Sequence, residues 1–123
     1  LAYLDDCATR ATLRGIARES IVLDPGIGFG KTPDQNLAVV REFHRIAALG
    51  FPTLIGASRK STIGKLTGRD DPADRAYGSV ALAVLAIAAG ADIVRVHDVA
   101  ATRDAVAVSD AILRDWRPAG WTG

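Results

Sequence analysis

Two kinds of apolar pattern alternate along the chain. Residues 1 to 19 carry Leu4, Ala8, Ala11, Leu13 and Ile16 among charged neighbours, a stripe that predicts an amphipathic helix. Ile21-Val22-Leu23 is a short uninterrupted apolar run, halted at Asp24-Pro25-Gly26, and predicts a buried strand. Leu37, Val40, Phe43, Ile46 and Ala47 return to helical spacing and end at Gly50, after which Pro52-Thr53-Leu54-Ile55 reads as a second strand. An alanine-rich helix from about Asp74 to Ala89 stops at Gly90 and precedes a third strand, Ile93-Val94-Arg95-Val96. A last helix is predicted from about Thr102 to Trp116, followed by a tail, 118–123, expected to be poorly ordered. Polar groups thus leave three strands near positions 24, 58 and 97, a helix in every interval. That is an α/β chain built of βα repeats with about three parallel strands, and either a closed barrel or an open doubly wound sheet fits the periodicity.

Composition narrows the class. The chain has 123 residues, 49% hydrophobic and 24% charged, in keeping with one globular domain. The longest apolar stretch, Val80 to Ala91, falls short of the roughly 20 residues that span a bilayer. The start, Leu1-Ala2-Tyr3-Leu4-Asp5-Asp6, lacks the basic and apolar regions of a secretory signal, so a cytoplasmic location is expected. A net charge of +1 with both signs dispersed argues against nucleic acid or a membrane as partner. The single Cys7 can form neither an internal disulfide nor a multi-cysteine metal site, and packing is its expected role. The chain contains no methionine and begins at Leu1, which reads as a piece of a longer protein.

Three segments carry candidate chemistry. Asp24-Pro25-Gly26-Ile27-Gly28-Phe29-Gly30-Lys31-Thr32 ends like a phosphate-binding P-loop, but the first glycine of that pattern falls on Pro25, and Pro33 follows at once. Asp24, directly after a strand, can accept two parallel hydrogen bonds from a planar heterocycle with adjacent N–H groups, or can cap its own turn. Gly56-Ala57-Ser58-Arg59-Lys60-Ser61-Thr62 joins two cations to hydroxyls at the start of a short helix, which suits a small anion or a solvated basic turn. Arg95 and His97 share one side of their strand, opposite Val94 and Val96. A barrel would direct both inward, where an arginine needs either a bound anion or a carboxylate such as Asp92 or Asp98. His44 falls in a helix and is expected to be solvated.

The strings DPGIGFGK, GASRKS, DRAYGSVA and RVHDV follow one another here as they do in dihydropteroate synthases, and the segment from Ile21 to Leu113 resembles that family. The resemblance implies a (β/α)8 TIM barrel, of which these are the sixth, seventh and eighth strands. Residues 1–19 would be the fifth helix, residues 1–117 the partial pterin-binding domain and 118–123 the tail. It implies a transferase of folate biosynthesis that condenses dihydropterin hydroxymethyl diphosphate with 4-aminobenzoate and releases diphosphate. Asp24 would hold the pterin N–H edge. Lys60 would contact the pterin and shape the 4-aminobenzoate pocket, with Ser61 receiving the carboxylate. Arg95 would lie against the pterin and bind diphosphate together with His97, so that Lys60, Arg95 and His97 are the expected catalytic groups. Phe29 and Arg59 would be pocket-wall or loop residues.

The resemblance further implies Mg2+ as a cofactor, contacted from the barrel's early strands and by no residue of this chain. It implies a homodimer through the late helices, with the segment Val80 to Ala89 as a contact surface, and small molecules as the substrates. The first five strands would be missing, and the isolated chain would then be inactive and prone to associate through its open edge. Two alternatives stay open: another pterin-binding barrel, such as a methyltetrahydrofolate methyltransferase domain, and a non-catalytic half-barrel.

Overall fold

The computed structural model describes residues 1–123. Helix α1 (Ala2–Leu13) is shorter than the apolar stripe predicts. Gly15, at φ +86°, ends it. The Gly15 N–H donates to the Thr12 carbonyl and the Ile16 N–H to the Ala11 carbonyl, a closure that needs a left-handed residue and that periodicity alone passes over. A 3-10 turn at Arg18–Ser20 leads to the first strand segment. The Arg18 guanidinium lies 3.6 Å from the centroid of the Phe51 ring. It also donates to the Leu49 and Gly50 carbonyls, tying this turn to the segment that leads into the next strand.

The predicted second helix is two helices. Helix α2 (Pro33–Arg41) starts earlier than the pattern suggests, because Thr32 and Gln35 form a reciprocal cap and Pro33 occupies the first turn. Glu42, at φ −97° and ψ 13°, breaks the run, and α3 (Phe43–Ala47) follows. Strand β1 (Leu54–Ile55) comes next, then α4 (Ser61–Thr67), a 3-10 turn at Pro72–Arg75 and helix α5 (Ala76–Ala88). Gly90, at φ +100°, closes α5 as expected: its N–H reaches Ile87 and that of Ala91 reaches Ala86. Strand β2 (Ile93–Val94) and helix α6 (Val99–Leu113) complete the order. Helix α6 begins and ends before the predicted span, and Asp115, at φ +54°, turns the chain away.

The three predicted strands lie side by side, all parallel, but are shorter than expected. β1 pairs with β2, Leu54 opposite Ile93 and Ile55 opposite Val94, and Leu23 bridges Thr53 on the other side. The ladder extends only from the Leu23 N–H on Pro52 to the Arg95 N–H on Ile55. Beyond it, Pro25 and Gly26 at one strand end and the turn at Ser58 and Arg59 at the next carry the chain out of the sheet. Thr53, fully buried, fixes the register. Its N–H and hydroxyl both donate to Asp92 Oδ2, at 2.9 and 3.0 Å, and its carbonyl receives the Ile93 N–H.

One apolar core sits between the sheet and its helices, built on Leu23, Ile27, Phe43, Ile55, Ala86 and Ala91. Phe43 is wholly enclosed, and Ile27 plants the loop after the first strand in the same core. Cys7 is half-buried and accepts a hydrogen bond from Arg10. Phe43→Ala is expected to cost about 3–5 kcal/mol of unfolding free energy, measured by urea denaturation.

Candidate functional site

The strand register sorts the candidate residues. Side chains alternate across a strand, so Leu23, Thr53, Ile55 and Val94 turn toward the helices and are buried or half-buried. Val22, Asp24, Gly56, Ile93, Arg95 and His97 then share the opposite face, which no element of this chain covers. Asp24, Arg95 and His97 are exposed there. The sequence argument that Arg95 and His97 share a side holds. Within this chain nothing lies over Arg95, so the enclosure that a closed barrel would give it is not formed by these residues alone.

The loop after the first strand is held from within. Asp24 Oδ1 accepts the Gly26 N–H at 2.8 Å, so the turn-capping role and a recognition role coexist: one carboxylate oxygen closes the turn and the other has no protein partner. Lys31 folds back and donates to the carbonyls of Gly26 and Phe29, at 3.0 and 3.2 Å. With its lysine occupied in this way and Thr32 serving as the cap of α2, the segment does not act as a P-loop. Phe29 is exposed, and the Lys60 ammonium sits 4.2 Å from its ring centroid. Gly28 allows this closeness, since a Cβ there would come within 3.0 Å of the Lys60 side chain.

Asn36 joins the two loops, and sequence reasoning missed it. Its side-chain oxygen accepts the Gly28 N–H at 2.9 Å and its amide donates to Thr62 Oγ1 at 3.0 Å, with Asn36 and Thr62 both buried. No local pattern announces such a residue; the only signal is a polar side chain on the apolar side of α2.

The second loop turns sharply at Ala57–Lys60, closed by the Lys60 N–H on the Ala57 carbonyl at 3.3 Å. Arg59 stands third in that turn at φ +58°, a region where side-chain-bearing residues incur about 1–2 kcal/mol. Its guanidinium does not face the open side. It makes a two-pronged pair with Asp98, at 2.6 and 3.1 Å. Hydrogen bonding from Arg59, reinforced by its charge, holds the Asp98 carboxyl below the usual carboxylate range, and the same bond raises Arg59. Ser61 is exposed at the first position of α4.

Asp98 is therefore not available to Arg95, and Asp92 is engaged by Thr53. No carboxylate lies within ion-pair reach of Arg95. Its guanidinium lies over Gly56, where an added Cβ would stand 2.7 Å from Nη2. His97 Nδ1 is 3.0 Å from Ser58 Oγ, and the His97 N–H donates to the same buried hydroxyl. The site thus presents one free carboxylate oxygen, an ammonium beside an aromatic ring, an unneutralised guanidinium and an oriented imidazole.

Elsewhere, a groove of about 760 Å³ runs between α2, α4 and α5, lined by Leu37, Leu66, Leu82 and Leu85 among others, with His44 and Arg41 at its rim. It is apolar and lies away from the strand ends. No group of three or more His, Cys, Asp or Glu side chains converges in the chain. No helix is long and apolar enough to cross a membrane.

Residues 2–97 match the model of a family described as pterin binding enzyme. Over 100 residues the chain is 51% identical to dihydropteroate synthase of Synechocystis sp., covering 81% of this chain and 35% of the relative. It is 50% identical over 113 residues to dihydropteroate synthase of Neisseria meningitidis serogroup B, covering 89% and 40%. The chain therefore spans about two fifths of the length of these curated relatives. Among solved structures, dihydropteroate synthase from Xanthomonas albilineans in complex with 7,8-dihydropteroate superposes with a TM-score of 0.89 at 43% identity, over 95% of this chain and 45% of that one. The Thermus thermophilus enzyme in complex with 4-aminobenzoate gives 0.85 at 49% identity, over 90% and 44%.

Two outcomes test this geometry. Asn36→Ala leaves the Gly28 N–H and Thr62 hydroxyl without their partner and is expected to cost about 1–3 kcal/mol in denaturant unfolding. Asp98 has a folded-state pKa below its unfolded value, so its pairing contributes stability above the ordinary value of about 3.9 and loses it as pH falls through the lowered one. Asp98→Asn is accordingly expected to lower the melting temperature at neutral pH, with the gap to the parent closing in acid.

Proposed function

The chain belongs to the pterin-binding enzyme family, and from that premise we propose that it forms the late-strand part of a dihydropteroate synthase barrel. Residues 1–117 form that part, as the C-terminal portion of a (β/α)8 barrel, and 118–123 lie outside it. The observation that carries the reading is Arg95, a guanidinium on the same open face as Asp24, with both neighbouring carboxylates already engaged. A cation so placed, with no carboxylate of this chain paired to it, is free to receive an external anion. The diphosphate of a dihydropterin hydroxymethyl diphosphate is such an anion, and the pterin ring offers the paired N–H edge that a carboxylate recognises.

In the reaction, the amine nitrogen of 4-aminobenzoate attacks the hydroxymethyl carbon of the pterin. A C–N bond forms, the C–O bond to diphosphate breaks, and the amine loses a proton. The free oxygen of Asp24 accepts from the pterin N–H edge, its other oxygen being fixed by Gly26. Arg95 lies against the pterin and receives diphosphate oxygens, and His97, its ring set by Ser58, donates to the same anion. Lys60 contacts the pterin and, with Phe29, walls the aminobenzoate pocket, where Ser61 receives the carboxylate. Positive groups waiting for the leaving charge stabilise the transition state, and fixed loops hold the two reactants in line. An aromatic amine is already neutral and nucleophilic at pH 7, so no strong general base is needed.

The family resemblance carries Mg2+ with it, but the residues of this chain offer that ion no ligand set and no step here is routed through it. The enzyme is cytoplasmic. A second copy packs on the apolar groove beside α5, which leaves Leu66 and Leu85 exposed at 64% and 61% in the single chain, and the functional unit is a homodimer. The combination of the SRKS and RVHDV strings favours this reading over a methyltetrahydrofolate methyltransferase domain, which has no diphosphate to bind.

Thermal-shift titration of the 123-residue chain with a pterin diphosphate analogue tests the assignment. At a ligand concentration about 100 times the Kd, binding adds about 2.7 kcal/mol to stability, and the shift is lost in Asp24→Asn and Arg95→Ala. Equal shifts in parent and variants, or no shift in a folded parent, overturn the roles given to these residues. The 123 residues alone are expected not to turn over.

A further inference from the structure

Arg59 is held at three points, and we infer that Ser79, Arg75 and Asp98 together form a clamp that positions Lys60 and Ser61. The Arg59 N–H donates to Ser79 Oγ at 2.8 Å, and that hydroxyl in turn donates to the Arg75 carbonyl at 2.7 Å. The Arg59 carbonyl accepts from Arg75 Nη1 at 2.9 Å. The guanidinium is taken by Asp98. Arg75 is itself immobilised by the carbonyls of Arg69 and Asp70. The N–H, the carbonyl and the guanidinium of a residue in a disfavoured, left-handed conformation are therefore each restrained from outside its own turn.

The restraint has a direction. At φ +58°, Arg59 reverses the chain so that Lys60, extended at φ −68° and ψ 155°, starts α4 with its ammonium over Phe29. On the other side of Arg59, Ser58 meets His97. An arginine freed to return to negative φ rotates the following peptide, carrying Lys60 off Phe29 and Ser61 off the open face. Arg75 and Ser79 stand four residues apart in the string DRAYGSVA, so one turn of chain presents both to the two peptides that flank Arg59. The reading of what Lys60 and Ser61 touch rests on the function proposed above; the clamp itself does not.

Glycine separates positioning from packing, because it adopts positive φ without a side-chain penalty. Two quantities are measured on the 123-residue chain. One is the nuclear Overhauser contact between the Lys60 ε-methylene and the Phe29 ring. The other is the dissociation constant of 4-aminobenzoate with a pterin diphosphate analogue at saturation. In Ser79→Ala the contact weakens and the dissociation constant rises about tenfold, the factor that a left-handed penalty of this kind corresponds to. In the double variant Ser79→Ala with Arg59→Gly both return toward the parent values, although the Asp98 pair is lost. Arg75→Lys, which keeps the charge but loses the forked donors, repeats the test from the carbonyl side. An unchanged contact in Ser79→Ala, or a loss that Arg59→Gly does not restore, overturns the clamp. A folded parent that binds neither ligand overturns the functional reading instead, and the Overhauser contact still judges the clamp.

Discussion

Thr53 has no exposed surface, yet each of its polar atoms is engaged, and the placement of the whole site follows from that. Its N–H and hydroxyl hold Asp92, and its carbonyl takes the first N–H of β2, so the two strands can align in one register only. A slip by one residue would exchange the two faces of a strand. Arg95 and His97 would then turn into the apolar core and Val94 and Val96 would take the open side. A buried hydroxyl and one carboxylate thus decide where the cations stand.

From that register the site is assembled by loops that are tied rather than draped. Ile27 anchors one of them in the core, Lys31 closes it on itself, and Asn36 links it to the next. These contacts cost ordering entropy during folding, before any ligand arrives. The surface they leave has its charges already oriented, and preorganised charge of that kind acts on a ligand without further ordering cost.

Much of this was legible in the sequence, for a physical reason. Element ends are marked by residues that cannot continue the hydrogen-bonded pattern, so Asp24-Pro25-Gly26 at a strand end and Gly90 at a helix end are visible in the sequence, and the alternation around Arg95 gives its face. The string of motifs pointed to the family. What stayed hidden depends on partners far along the chain. Arg59 looked like a solvated cation or pocket wall until Asp98, 39 residues on, was seen to hold it. Asp98 in turn looked available to Arg95. The end of α1 at Gly15 and the break at Glu42 are obscured because the apolar periodicity runs across both, while the backbone leaves the helical conformation there.

Gly56 shows how little room separates these outcomes. The guanidinium of Arg95 occupies the volume that a single methyl group on residue 56 would need. The absence of a side chain on one strand is therefore what lets the neighbouring strand lay its charge flat on the sheet instead of raising it into solvent. Positions 56 and 95 behave as one unit of shape: alanine at the first would displace the cation while leaving its sequence intact, so the charge map of this surface cannot be read from its charged residues alone.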